Sequence, residues 1–377
     1  MILIFKKTFM KKTPAFLSFI LIAFSFLSCN SNSNSSANSS SPDSIRFKGQ
    51  TLNILCWEGY ADEAFTKGFE KKYGVTVQGT YYGSDDELVS KLSNGGDASY
   101  DIISPSSDVA SYLIDANLVQ PIDTSKISNW NNLAPQLKNL KDVRRGNNIY
   151  GLPFCWGPDY LVYNADKIKQ TPDSWNIFWD PKYKGRVSLW DDISNIYLVA
   201  QIEGLDKTDQ SVLYNLSDAQ LSTIKQKLID LKPQIRKYWA TAGELNDMFK
   251  NGEVDLAVGW PLTPAALNVQ GMNIKAVVPK EGATGWIDRL MITKNTPNKD
   301  LANLWLDYVS QPENMALVAK VTNYCVSNPL AANDMDSTLR KSVSDNNDFY
   351  LKTLNFWQYV KNRKQYNEVW NEVKSAQ

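Results

Sequence analysis

Histidine is absent from the 377-residue sequence. Its absence excludes Ser-His-Asp and Cys-His catalysis, histidine-ligated metals and an imidazole pH switch. Cysteine is scarce: Cys29, Cys56, Cys155 and Cys325 are too few and too scattered for a disulfide framework or a zinc cluster. The last three read either as one bridge with a free thiol or as three small buried hydrophobes. Net charge is missing too, since 40 basic residues balance 40 acidic ones. With no global field and no Lys/Arg stripe interleaved with aromatics, nucleic acid is not an expected partner, and neither a cofactor nor a metal is expected.

What is present begins with a leader. Lys6, Lys7, Lys11 and Lys12 precede an apolar run from Phe16 to Leu27, followed by Ser28 and Cys29. This is a signal-peptide pattern over 1–28; the run is shorter than the roughly 20 residues that span a bilayer, and no later segment is long and apolar enough to do so. Phe26-Leu27-Ser28-Cys29 resembles a bacterial lipobox, which implies that Cys29 is lipidated and anchors the chain to a membrane by more than one acyl chain. From Asn30 to Asp43 the chain is almost entirely Ser and Asn, a composition that buries no core. Residues 29–46 are therefore expected to be a tether, holding the body on the order of 20 Å from the bilayer.

Beyond the tether, 43% hydrophobic residues suffice for one large or two medium cores. Thr51 to Cys56 predicts a strand, and Ala61 to Tyr73 a helix with Ala61, Phe65, Phe69 and Tyr73 on one face before Gly74. Val75 to Tyr82 is rich in β-formers, Ser84 and Glu87 have capping-box spacing, Tyr100 to Ser104 predicts a third strand, and Ser106 to Asp108 supplies caps for the next helix. This β-α-β-α-β alternation predicts an α/β fold with a mostly parallel sheet covered on both faces, binding its ligand beyond the strand ends. A second α/β section follows, with strands at Arg186 to Leu189, Val254 to Val258 and Ile274 to Val278, then an extended run that Trp286-Ile287-Asp288 opens.

The predicted strand ends carry Trp57, Tyr60, Trp260 and Trp286 together with Asp192 and Asp288. A buried amine needs carboxylates to offset its desolvation. Aromatic faces attract the same cation by about 0.5 to 2 kcal/mol each and pack against its methylenes. The set therefore suits an organic ammonium. Each member also has a structural reading: the Trp side chains as core, Asp192 as a helix cap, Asp288 as the partner of Arg289 or a surface Lys, and Asp108 as an acid favoured by a helix N-terminus.

From Leu52 to the last helix the chain resembles the periplasmic spermidine/putrescine-binding proteins of polyamine importers. The markers are Leu52 to Tyr60 (LNILCWEGY), Tyr100 to Ser106 (YDIISPS), Asp180 to Gly185 (DPKYKG), Val278 to Gly282 (VPKEG) and Trp286-Ile287-Asp288. The resemblance implies a two-lobed periplasmic-binding-protein fold (type II), each lobe a mostly parallel sheet flanked by helices, with the cleft between the lobes. It implies lobe one at 47–153 plus 286–331 and lobe two at 154–285 plus 332–377. It also implies a monomer that closes on a putrescine or spermidine ligand and is read by an ATP-driven permease. Carried over residue by residue, it places an aromatic box at Trp57, Tyr60, Trp260, Trp286 and Tyr324, amine-binding acids at Asp192 and Asp288, and polar contacts at Ser106 and Gln358. This chain departs from the pattern at three positions. Asn195 stands where a second acid is usual, Asp108 where Tyr is expected, and Glu58 where a small hydroxyl residue is common.

Three rivals share parts of this pattern. A glycoside-active enzyme would use paired carboxylates and surface Trp; the same fold could hold a sugar, an amino acid or a quaternary amine; and a lipoprotein of this kind could serve adhesion or sensing.

Overall fold

A computed structural model describes residues 42–345 and 347–376. The leader, Cys29 and the tether up to Ser41 lie outside the described residues. The end of the expected tether is helical, because Pro42–Arg46 forms one turn that delivers Phe47 into the core.

The first alternation forms as its pattern dictates: β1 (Thr51–Cys56), α1 (Glu63–Tyr73), β2 (Thr76–Tyr81), α2 (Asp85–Ser93), β3 (Ile102–Ile103) and α3 (Ser107–Asp115). Helix α1 starts where the Asp62 carboxylate accepts the Ala64 N–H at 2.8 Å. It stops at Gly74, whose φ of 68° is the left-handed conformation that a Cβ disfavours. At α2 only half of the capping box forms. The Ser84 hydroxyl accepts the Glu87 N–H at 3.2 Å, while the Glu87 carboxylate reaches back to the N–H of Gly83 instead.

Further along run β4 (Val119–Gln120), β5 (Gly151–Pro158), β6 (Tyr160–Asn164), β7 (Val187–Trp190), α4 (Ser194–Ile202), α5 (Asp218–Leu231), β8 (Ile235–Trp239), α6 (Ala242–Lys250) and β9 (Leu256–Gly259). Then come α7 (Leu262–Asn268), β10 (Ile274–Val277), β11 (Thr284–Thr293), α8 (Lys299–Val309), α9 (Pro312–Thr322), β12 (Cys325–Val326), β13 (Asn355–Phe356) and α10 (Arg363–Ser375). They build two large sheets, one per lobe. The first has the order β12-β5-β11-β3-β1-β2, with β4 and β13 also on β11; the second is β8-β7-β9-β6-β10.

Parallel pairing holds in β2-β1-β3, where the alternation predicts it, and also joins β8-β7-β9, of which β8 was not read from the sequence. The strands nearest the passage between lobes run antiparallel: β11 to β3 and β5 in one sheet, β6 to β9 and β10 in the other. Both sheets are therefore mixed.

Strand β5 stays in the first sheet through Pro158, and β6 opens the second at Tyr160. Asp159 alone joins them. The returning chain enters β11 at Thr284, and there the two passages are bonded to each other. The Asp159 N–H donates to the Thr284 carbonyl at 2.9 Å, and the Thr284 hydroxyl donates to the Asp159 carboxylate at 2.6 Å. Cys56, Cys155 and Cys325 are all free and buried.

Candidate functional site

Asp288 lies inside β11 rather than before it, because the extended run begins already at Thr284. Ile287 pairs with Trp156 but Arg289 with Pro153, so β5 bulges opposite Asp288. A bulge of this kind breaks the ladder and re-aims a side chain. On its other side Asp288 bridges to Ser106, just past β3. Its carboxylate is buried and takes two hydroxyls: Tyr60 donates to Oδ2 at 2.5 Å and Ser106 to Oδ1 at 2.8 Å. Ser106 is the N-cap of α3 by position yet caps no backbone N–H, since its hydroxyl is committed to Asp288. Burial pushes the Asp288 carboxyl up to about 7, against the pull of those two hydroxyls and of Arg289.

Aromatic rings wall the space in front of this carboxylate. Trp286 packs edge-on to Tyr324 with centroids 4.7 Å apart, and Tyr324 meets Tyr60 at 6.2 Å. Trp286 is paired in register with Gly157, and a Cβ there would lie 3.1 Å from the indole; the glycine lets the ring lie on β5. From across the cleft Trp260 approaches Trp57 at 6.1 Å and Trp190 at 5.0 Å, and Trp190 stacks on Trp357 at 6.1 Å and 11°.

Together these residues form a half-open cavity of about 30 Å³ lined by Trp57, Glu58, Ser106, Trp190, Trp260, Trp286, Asp288, Tyr324 and Trp357, with Ala242 and Leu262. Such a volume holds about two waters. Both lobes contribute walls. Glu58 is exposed at the rim, its Oε1 within 3.7 Å of where a Cβ on Gly243 of α6 would stand.

The other expected site residues lie elsewhere. Asp192 does not line the cavity. From just before α4 its Oδ1 accepts the N–H of Ser194, the first helical residue, at 2.8 Å, and burial pushes its carboxyl up to about 7, countered by the Arg363 charge. Asn195 ties down the same turn by donating to the Trp190 and Asp192 carbonyls. Asp108 is paired with Arg363 and Tyr197. Gln358 is exposed on another face, beside Leu351 and Phe356, and its neighbour Trp357 reaches the cavity instead.

Sequence reasoning passed over Trp190 and Trp357 in the wall, and Asp159 beneath it. Burial pushes the Asp159 carboxyl up to about 7, with Thr284, Trp260 and Trp357 favouring its charged form. A signal existed for Trp190, the last residue of a predicted strand's end beside Asp191 and Asp192. None existed for Asp159, whose partner Thr284 lies 125 residues away. Among the described residues no group of three or more Cys, Asp and Glu is placed to hold a metal ion.

Beyond the site, the chain as a whole is similar to several known proteins. A spermidine/putrescine-binding periplasmic protein of Salmonella typhimurium is 28% identical over 302 residues, 80% of this chain and 83% of that one. A putrescine-binding periplasmic protein of Escherichia coli is 27% identical over 319 residues, 80% of this chain and 84% of its own. A solved chain from Listeria monocytogenes, assigned to a spermidine/putrescine ABC transporter, superposes with a TM-score of 0.77 at 26% identity, covering 87% of this chain and 99% of that one. The family model for bacterial extracellular solute-binding proteins matches residues 64–345, and the chain belongs to that family.

Proposed function

We propose that this chain captures a polyamine, putrescine or spermidine, in the cavity between its lobes and delivers it to the permease of an ABC importer. The observation that carries the reading is Asp288, a buried carboxylate held by Tyr60 and Ser106 at the foot of a cavity walled by Trp57, Trp190, Trp260, Trp286 and Trp357. The aromatic faces hold the methylenes and strengthen the attraction for the cation, and the names of the similar proteins support the same ligand class.

The lobes in this reading follow the expected division except that 154–158 and 284–285 belong with lobe one, because β5 and β11 stay paired in the first sheet over those residues. A cavity with room for about two waters admits a diamine only when the lobes part, and the bonded passage at Asp159 and Thr284 is a natural hinge. Export by the 1–28 leader, lipidation of Cys29 and action as a monomer at the outer face of the cytoplasmic membrane complete the proposal. Binding without turnover is supported by the family to which the chain belongs.

A second reading has its own support. Trp57 and Trp286 line the cavity, and their indole N–H groups are buried with no acceptor among the described residues, which favours a hydroxylated cation or a sugar over a plain amine. Isothermal titration of the mature domain with putrescine, cadaverine, spermidine, glycine betaine and simple sugars separates the two. Heat with the diamines and none with sugars supports the polyamine; heat with sugars alone overturns it. Trp286→Ala should cost about 2 kcal/mol or more of diamine affinity with every acid intact, as for a buried aromatic anchor.

A further inference from the structure

The acids near the cleft form two groups. Asp288 faces the cavity, whereas Asp86, Asp108 and Asp192 lie outside its lining, where α2, α3 and α4 meet α10. Arg363 enters the second group from α10. Its Nε donates to Asp86 Oδ1 at 2.8 Å and its Nη2 to Asp86 Oδ2 at 3.3 Å, while Nη1 donates to Asp108 Oδ2 at 2.7 Å. Tyr197 of α4 adds its hydroxyl to the same Asp108 oxygen at 3.2 Å. Asp108 is 1% exposed, and its other oxygen finds no partner among the described residues.

Asp86 and Asp108 stand on helices of the first sheet. Arg363 and Tyr197 stand on helices of the second, α10 packing on α5 and α5 on α4. The cluster therefore crosses the seam between lobes. A guanidinium stays charged at any working pH and binds a carboxylate through two parallel donors, so its single charge permanently offsets one of these acids and engages a second. It also lies near enough to Asp192 to favour that residue's ionised form.

Resting on the polyamine reading of the cavity, we propose that Arg363 is a resident cation that takes the place of a ligand ammonium at the acidic end of the cleft. It clasps the lobes there, and it leaves a site for a short diamine held between Asp288 and the rim residue Glu58. A longer triamine finds the acids that would take its third ammonium already engaged by Arg363.

The test measures putrescine and spermidine affinity by titration calorimetry, and ligand-free compactness by small-angle X-ray scattering, for the mature domain and for Arg363→Gln and Asp86→Asn. Wild type should prefer putrescine. Arg363→Gln should move the affinity ratio toward spermidine by about tenfold and enlarge the ligand-free radius of gyration. Asp86→Asn, which keeps the buried Arg363–Asp108 pair but removes one acid, should enlarge the radius by less and move the affinity ratio toward putrescine. A wild type that prefers spermidine, or a folded Arg363→Gln with unchanged ratio and radius, overturns the proposal. If Arg363→Gln does not fold, Asp86→Asn decides on the same two readouts. If neither amine binds wild type, the polyamine reading fails by itself, and the radius alone then decides the clasp.

Discussion

Asp288 faces two demands at the scale of single residues. Without a ligand, burial favours its neutral form and holds the carboxyl up at about 7. An ammonium beside it favours the charged form and draws a proton off. Polyamine affinity should therefore be full above about pH 7 and fall by about tenfold per pH unit below it, as one proton must leave for each ligand bound. Calorimetry between pH 5.5 and 8 in buffers of different ionisation heat reads both the slope and the released proton. Asp288→Asn should cost about 2 to 5 kcal/mol of affinity and flatten that slope. A neutral side chain that binds as well as Asp would place the ammonium elsewhere. The residues legible in the sequence are Trp57, Tyr60, Trp260, Trp286 and Asp288, read there as aromatics and an acid at the ends of predicted strands, although Trp286 and Asp288 lie inside β11. Arg363 was not legible, because its partner Asp108 is 255 residues away and a lone Arg at a helix start carries no pattern. Asp192 shows the limit of residue type as a guide, since the N–H of the first residue of α4 engages one of its carboxylate oxygens.

Among the elements, β5 and β11 set the floor of the site, and their fit depends on one missing side chain. Gly157→Ala puts a Cβ 3.1 Å from the Trp286 ring, tighter than ordinary contact, so the indole must shift or the strands must part. Overpacking of this kind costs about 1 to 3 kcal/mol. Thermal melts should show that loss, and diamine titration should show weaker binding although no polar contact with Asp288 has changed. An unaltered affinity would mean that the Trp286 position does not matter to the ligand. The helices of the first unit were readable because their period of 3.6 survives in the sequence, and most parallel strands because they are short runs of β-formers bounded by turn residues. The pair β5 and β6 was not. Pro153 and Pro158 interrupt a run that is buried almost throughout, and proline argues against a central strand unless its missing N–H faces a bulge or a strand end. Here Pro153 borders the bulge opposite Asp288 and Pro158 ends β5. The same unread strands are the reason that both sheets are mixed: they and β11 turn back along the passage between lobes.

For the whole molecule, several buried acids act on stability together. Asp159, Asp192 and Asp288 are each pushed up to about 7 by burial, and burial also raises Asp85, with the Asp108 charge adding to the effect. A carboxyl whose folded pKa exceeds its unfolded value holds its proton longer in the native state. Between about pH 4 and pH 7 the native state thus binds more protons than the unfolded chain, and stability falls as pH rises through that window. The carboxyls held low by partners, such as Asp115 beside Arg145 and Asp300 beside Arg46, act in the opposite sense only below the ordinary carboxylate range. The ligand-free mature domain should therefore melt at a higher temperature near pH 5.5 than near pH 8. A bound polyamine reverses the trend, because it stabilises the ionised carboxylate, so the rise in melting temperature at saturating putrescine should be larger at pH 8 than at pH 5.5. Differential scanning calorimetry at both pH values, with and without ligand, measures the four numbers. A ligand-free melt that rises toward pH 8 would show that these acids are ionised at little cost in the native state. Arg363 and the bonding around Asp288 and Asp159 would then outweigh burial, and the closed cleft would be stable without the help of a ligand's charge.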